Sequence, residues 1–136
     1  MKRLLLIPAM LLISFTGFTQ SKLDKWPELK TFHGVMSQTF HPSEEGNLQP
    51  IKERAGEMLE KAQALASSKI PPEFTTDVII SATRRLVAGS VDLKTSIDNK
   101  ESDEVITKKL SALHDVFHEI VEKCMHPEGE KHEHQE

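Results

Sequence analysis

Apolar residues recur every three or four positions along most of this chain, which is the spacing of one buried face of an α-helix. No stretch alternates between apolar and polar residues over the length of a strand. Proline-rich or polar connections divide the pattern into four segments. We therefore predict an all-α domain in which each helix buries one face.

The first predicted helix begins near Trp26-Pro27, because proline suits the first helical turn. It ends at His41, because Pro42 disfavours helical geometry in the residue before it. The second helix opens near Pro50. The core candidates of these two helices are Leu29, Phe32, Met36 and Phe40, then Ile51, Ala55, Met58, Leu59, Ala62, Leu65 and Ala66.

Two consecutive prolines in the segment SSKIPPEFTT separate the second helix from the third, which runs from about Thr76 to Asn99. Ser102 is the expected N-cap of the fourth helix, and His126-Pro127 ends it. The core candidates here are Ile79, Ile80, Leu86, Val87, Val91, Leu93 and Ile97, then Ile106, Leu110, Leu113, Phe117, Ile120, Val121 and Cys124.

Four amphipathic helices with short connections predict an up-down-up-down antiparallel four-helix bundle over residues 21–125. Residues 1–20 are typical of a secretory signal peptide, since Lys2 and Arg3 precede an apolar run too short to span a bilayer comfortably. A retained membrane anchor is the alternative. The polar composition of residues 126–136 predicts a His/Glu-rich flexible tail. We expect an exported, periplasmic protein with no membrane insertion after cleavage of the signal peptide.

Charge and cysteine content narrow the function classes. The chain has 17 Lys and Arg against 21 Asp and Glu, and loss of Lys2 and Arg3 with the leader leaves a net charge of −6. A mildly acidic chain has no basic stripe for nucleic acid. The single cysteine, Cys124, has three possible roles: a buried apolar residue, a ligand, or a site of pairing between copies, so a homodimer is possible. No arrangement typical of a hydrolase is recognisable, so we expect no enzyme.

Side chains that bind transition metals gather at one level of the predicted bundle. His114 and His118 are four residues apart, which puts both imidazoles on one flank of the fourth helix. An antiparallel first helix places His33 at that level, with Met36 at the adjacent core position. Cys124, in the last turn, is a softer candidate. Such a set suits copper or zinc, because imidazole is a borderline ligand and thioether prefers cuprous ion.

The rotational positions of His33 and His114 on their helices do not decide whether the two side chains share a site. His33 and His114 each lie roughly 80° from the centre of the apolar stripe on their own helix, in the same rotational sense. Both side chains therefore face the shared groove, or both face away from it. If they face away, His33 is a partly buried histidine at the core boundary and the His114/His118 pair is an exposed helix flank. Met36 and Cys124 are then core residues.

Three further features are less specific. Gly34 lies in a helix interior, where glycine costs about 1 kcal/mol relative to alanine, which indicates either a close approach of another helix or of a bound group, or a tolerated glycine with no special role. The connection after the first helix carries His41, Glu44 and Glu45, which suggests a second, oxygen-rich site or ordinary turn chemistry. The tail histidines, His132 and His134, suggest weak chelation or a solvated tail.

The fourth helix resembles a haem-attachment segment. Residues 110–117, LSALHDVF, are similar to the CxxCH motif and following aromatic residue of the cytochrome c-prime family, with leucine at both cysteine positions. The segment LASSKIPPEF resembles the connection after the second helix of that family. The chain also looks like the periplasmic four-helix cytochrome b, whose haem ligands match His118 and Met36.

Without the two cysteines, the resemblance implies no thioether-linked haem. It implies either non-covalent haem b, held by Met36 or His33 with His114 or His118, or a haem-free relative that binds a bare metal ion. The additional histidines favour the metal ion. We therefore expect a copper or zinc site formed by His33, His114 and His118, with Met36 and Cys124 as softer ligands, in metal handling or sensing. A metal-free periplasmic binding or stress module is a further alternative.

Overall fold

The computed structural model describes residues 22–126, which form four long α-helices and one short 3-10 helix and contain no β-strand. The predicted all-α fold is confirmed, whereas the leader and almost the whole tail lie outside the described residues. No helix within this part of the chain is both long and apolar enough to cross a membrane. The elements are α1 (Pro27–Glu44), α2 (Gln49–Ser67), the 3-10 helix (Pro72–Phe74), α3 (Asp77–Asp98) and α4 (Asp103–Met125).

The starts of α3 and α4 follow from local capping chemistry. The side chain of Thr76 accepts a hydrogen bond from the backbone N–H of Ile79, and the side chain of Ser102 accepts one from the N–H of Val105. Each bond satisfies a donor that the first helical turn leaves without a partner. The predicted N-cap at Ser102 is therefore confirmed.

Helix α1 continues past its predicted end, so the prediction that it stops at His41 is wrong. Pro42 lies inside the helix. A proline removes one helical hydrogen bond and crowds the preceding turn, but here the loss falls in the last turn of the helix. The backbone N–H of Glu45 donates to the Pro42 carbonyl, and the Ser43 hydroxyl donates to the Phe40 carbonyl. These bonds satisfy carbonyl groups of the last turn, so the helix continues to Glu44.

Helices that follow each other in the chain pack extensively, whereas α1 and α4 meet along a smaller contact. Aromatic rings form much of that contact. Phe32 and His33 of α1 lie against Phe117 of α4, and Phe40 of α1 lies against His114 of α4. Because fewer residues join α1 to α4 than join the other neighbours, a groove remains between these two helices.

One end of the helices is closed by Trp26, which the sequence pattern did not include in the core. Trp26 is fully buried, its ring stacks against Phe74 with centroids 6.5 Å apart, and its Nε1–H donates to the Ser68 hydroxyl at 2.8 Å. The indole thus has both an apolar environment and a partner for its only polar atom. Among the predicted core residues, Ala66 and Val91 are instead exposed.

Two glycines differ in what surrounds them. At Gly34 no heavy atom lies within 4 Å of the position a Cβ would take, apart from its chain neighbours and the backbone of its own helix, so no other helix approaches closely there. At Gly89 of α3 an added Cβ would stand 2.9 Å from Cδ1 of Leu113 on α4. The tight helix contact therefore lies at Gly89, between α3 and α4, and not beside His33.

Candidate metal centre

The groove between α1 and α4 holds a pocket of about 310 Å³. Its lining is mostly apolar, with four histidines among the polar members. The apolar lining residues are Leu23, Met36, Phe40, Phe117 and Val121, and the histidines are His33, His41, His114 and His118. The structure thus places His33 and His114 in the same groove, together with one histidine that sequence reasoning assigned elsewhere.

His114 and His118 form a close imidazole pair on α4. Their Nε2 atoms lie 3.1 Å apart, so one Nε2–H donates to the other Nε2. Two nitrogen ligands at about 2.0–2.1 Å from one zinc ion, at a bond angle of roughly 90–110°, are separated by about 2.8–3.4 Å. The separation of the two Nε2 atoms therefore suits two ligands of a single ion.

The ring of His114 is held against α1. It stacks on Phe40 with centroids 3.7 Å apart and planes 9° from parallel. Burial holds the pKa of His114 below its usual value, and the positive charge of a protonated His118 lowers it further. Because a metal binds only neutral imidazole, this environment favours the form of His114 that acts as a ligand.

Two residues of α1 that the sequence predicted as ligands also line the pocket. Met36 is 1 % exposed and belongs to the hydrophobic core, yet its side chain reaches the pocket. His33 is exposed, and its ring stacks on Phe117 with centroids 5.5 Å apart and planes 10° from parallel. Met36 is therefore the buried sulfur-containing residue of the lining, and His33 lies at the edge of the pocket.

His41 is the pocket residue that sequence reasoning missed. With Nδ1 protonated, its ring donates to Oε2 of Glu44 at 3.2 Å. The predicted helix end at His41 placed His41 and Glu44 in the connection after α1, and we expected that connection to lead away from the groove. Since α1 continues to Glu44, His33, Ser37 and His41 follow each other at four-residue steps on one flank of the helix. The four-residue spacing is a signal that the sequence already contains.

Cys124 lies apart from the other predicted ligands. It is fully buried and does not line the pocket. Burial raises the pKa of its thiol to about 11, and the negative charge of Glu73 adds to the effect. The thiol therefore stays protonated, whereas metal binding and disulfide exchange need the thiolate. Pairing of two copies through this sulfur would require the end of α4 to open.

As the side chains of residues 22–126 stand, no three His, Cys, Asp or Glu groups converge closely enough to hold one metal ion. The paired imidazoles of α4 supply two ligands. A third has to come from the Met36 thioether, from water, or from rotation of a side chain at the rim of the pocket.

Comparisons of this chain with protein-family models, with curated proteins and with solved structures find no match. The resemblance to the four-helix cytochromes therefore stays a prediction from about ten residues of motif. The groove between α1 and α4 combines two adjacent imidazoles, a buried methionine and an apolar wall. This chemistry indicates the function.

Proposed function

We propose that this protein is an exported four-helix bundle that binds a transition metal ion, of the copper or zinc class, in the groove between α1 and α4. Its role is in metal handling or sensing rather than catalysis. His114 and His118 are the primary ligands. The observation that carries the proposal is the 3.1 Å separation of their Nε2 atoms, which suits two ligands of one ion.

The surroundings of the pair support this role. The stack on Phe40 orients the His114 ring, and a side chain held in place before binding loses less entropy when it takes an ion. Met36 adds a soft donor in the same pocket. Imidazole and thioether together favour copper or zinc over the hard cations, which prefer oxygen ligands. Cys124 is left out of the ligand set because it does not line the pocket.

The up-down-up-down antiparallel arrangement and the export of the chain belong to the same proposal. The Lys22 ammonium donates to the carbonyl of Met125 at 2.8 Å, and Phe40 contacts His114. The first contact places the segment just before α1 at the end of α4, and the second places the last turns of α1 at the middle of α4, which supports an antiparallel arrangement of the two helices. The basic and apolar sequence pattern of residues 1–20 supports export to a periplasm.

Metal titration of the untagged protein tests the proposal. Zn²⁺ and, under anaerobic conditions, Cu⁺ are titrated in competition with a chromophoric chelator. His132 and His134 are first replaced by alanine, so that chelation by the tail does not contribute. We expect one ion per chain and an affinity about 100-fold lower in His114→Ala and in His118→Ala, since each variant removes one of few ligands.

His126→Ala is the matched control, because this exposed histidine lies at the end of α4 and does not line the pocket. It should bind both ions as the parent does. A parent protein that binds neither ion overturns the proposal. So does an affinity that is equal in His114→Ala, His118→Ala and His126→Ala.

A second candidate is a non-covalent haem b electron carrier. The mostly apolar wall of the pocket favours it, since Met36 on α1 and His114 or His118 on α4 line the same pocket and form a ligand pair of the kind that holds haem iron. The absorption spectrum of protein purified from its native compartment separates the candidates. A Soret band without stoichiometric copper or zinc supports haem b and overturns the metal-ion proposal.

A metal-free binding or stress module is the third possibility that the sequence left open. It predicts a wide exposed apolar surface. Among residues 22–126, Val78 and Val91 are the large hydrophobic side chains that are exposed, at 43 % and 45 %. Two separate valines on α3 are ordinary for a folded domain, so this observation disfavours the third candidate.

A further inference from the structure

The rim of the pocket carries an imidazole and a carboxylate that are already bonded to each other. His41 and Glu44 lie three residues apart in the last turn of α1, and Nδ1 of His41 lies 3.2 Å from Oε2 of Glu44. Both side chains are mostly exposed, at 68 % for His41 and 56 % for Glu44. The imidazole of His41 lines the same pocket as the pair on α4.

We propose that His41 supplies the third imidazole ligand of the metal ion and that Glu44 orients it. This inference rests on the proposed function, because it completes the site of His114 and His118. When Nδ1–H of His41 donates to the Glu44 carboxylate, the proton is fixed on Nδ1 and the lone pair of Nε2 is free for an ion. Metal-bound histidines commonly have such a carboxylate partner on the second ring nitrogen.

The position of His41 relative to His114 favours it over His33. The His114 ring stacks on the Phe40 ring with centroids 3.7 Å apart. The centroid of the His41 ring lies 6.1 Å from that of the same Phe40 ring. The ring of His33 stacks on Phe117 instead, and His33 lies eight residues, about two helical turns, before His41 on α1.

Rotation of the His41 side chain completes the site. The three imidazoles do not yet converge on one point, but His41 and Glu44 are both mostly exposed, so the two side chains can reorient together with their hydrogen bond kept. Three neutral imidazoles with a fourth position open to water or to the Met36 thioether form a site for a borderline ion. Zn²⁺ is the probe for this geometry, because its coordination is tetrahedral and involves no redox change.

The test compares single variants of the full chain in the background that lacks His132 and His134. We expect His41→Ala to weaken Zn²⁺ binding by about 100-fold and Glu44→Gln by about 10–100-fold, the usual cost of removing a carboxylate partner of a ligand. His126→Ala is the matched control, since it removes an exposed imidazole outside the pocket, and it should change the affinity by less than about 3-fold. His33→Ala tests the rival ligand of the same pocket and should weaken binding less than His41→Ala does. Thermal unfolding monitored by circular dichroism checks that each variant is folded.

Long-range ¹H–¹⁵N spectra of the imidazoles supply a second measurement. On addition of Zn²⁺, the Nε2 resonance of His41 should shift and its Nδ1 should keep the proton. The proposal is overturned if His41→Ala binds Zn²⁺ as the parent does, or if the His41 resonances do not respond. If His33→Ala is the weakened variant, the third ligand is His33, and the site of His114 and His118 stands. If His114→Ala is also unaffected, the proposed function fails together with this inference.

Discussion

Phe40 of α1 lies flat against His114 of α4, with ring centroids 3.7 Å apart and planes 9° from parallel. This stack crosses the groove and joins α1 to α4, two helices that share a smaller contact than consecutive helices do. It also fixes the plane of the imidazole that carries one of the two adjacent Nε2 atoms. The orientation of the α4 pair thus depends on a side chain of α1.

Replacement of Phe40 should therefore weaken metal binding without removing a ligand. In Phe40→Ala the His114 ring loses its stacking surface, and we expect Zn²⁺ affinity to fall by about 10-fold because the ring must be ordered on binding. Since Phe40 is only partly buried, the free energy of unfolding should fall by about 1–2 kcal/mol, less than for a fully buried Phe→Ala change. Competition titration and urea unfolding measure the two effects. Phe40→Leu, which keeps apolar bulk, should retain most of the stability. An unchanged Zn²⁺ affinity in Phe40→Ala would show that the stack does not orient the ligand.

Met36→Leu separates copper from zinc chemistry. The substitution conserves the volume of a fully buried side chain, so the free energy of unfolding should change by less than about 1.5 kcal/mol. If the thioether is a ligand, Cu⁺ binding should weaken by at least about 10-fold while Zn²⁺ binding stays the same, because cuprous ion prefers soft sulfur. Anaerobic titration with both ions measures the difference. Equal affinities in parent and variant would make Met36 a core residue only.

Cys124 should be chemically silent in the folded protein. Its pKa is raised to about 11, so almost no thiolate exists at pH 8, and alkylation by iodoacetamide should be slow until the protein is unfolded. Mass spectrometry after timed alkylation, with and without urea, measures this. Rapid alkylation of the folded protein would mean that the end of α4 opens readily.

The same shift predicts a loss of stability at alkaline pH. The folded state holds the Cys124 proton to about pH 11, whereas an unfolded chain releases it near pH 8.5–9. The unfolded state therefore gains an advantage as pH rises above about 9, and the free energy of unfolding should fall by up to about 3 kcal/mol at and above pH 11. Urea unfolding across this range measures it. Cys124→Ala is the control and should lose this part of the pH dependence; an identical pH profile in both proteins would contradict the prediction.

Two glycine substitutions should change stability in opposite directions. Gly34→Ala meets open space, so it should raise the free energy of unfolding by about 1 kcal/mol through helix propensity. Gly89→Ala places its methyl group 2.9 Å from Cδ1 of the buried Leu113, and the resulting overpacking, about 1–3 kcal/mol, should outweigh the propensity gain of about 1 kcal/mol and lower the free energy of unfolding. Urea unfolding of the two variants beside the parent measures both. A destabilised Gly34→Ala would indicate that some group does occupy the space beside this residue.

Helix boundaries could be predicted wherever a local interaction sets them. Thr76 and Ser102 cap their helices with their own hydroxyl groups, and this chemistry is visible in a few consecutive residues. The end of α1 was predicted wrongly, because the preference against helix before Pro42 is a local tendency that packing and end bonds can outweigh. The error removed His41 and Glu44 from the candidate site.

The sequence by itself determined the four helices and the pairing of His114 with His118, since both depend only on the 3.6-residue repeat within one helix. Only the tertiary structure decided that this pair faces Met36 and His41 across a groove. It also decided that Cys124 points into the core. The reason is that these relationships depend on how each helix is rotated about its axis when it packs. Rotation is set by contacts between residues far apart in the chain, such as Phe40 with His114, and not by any local spacing.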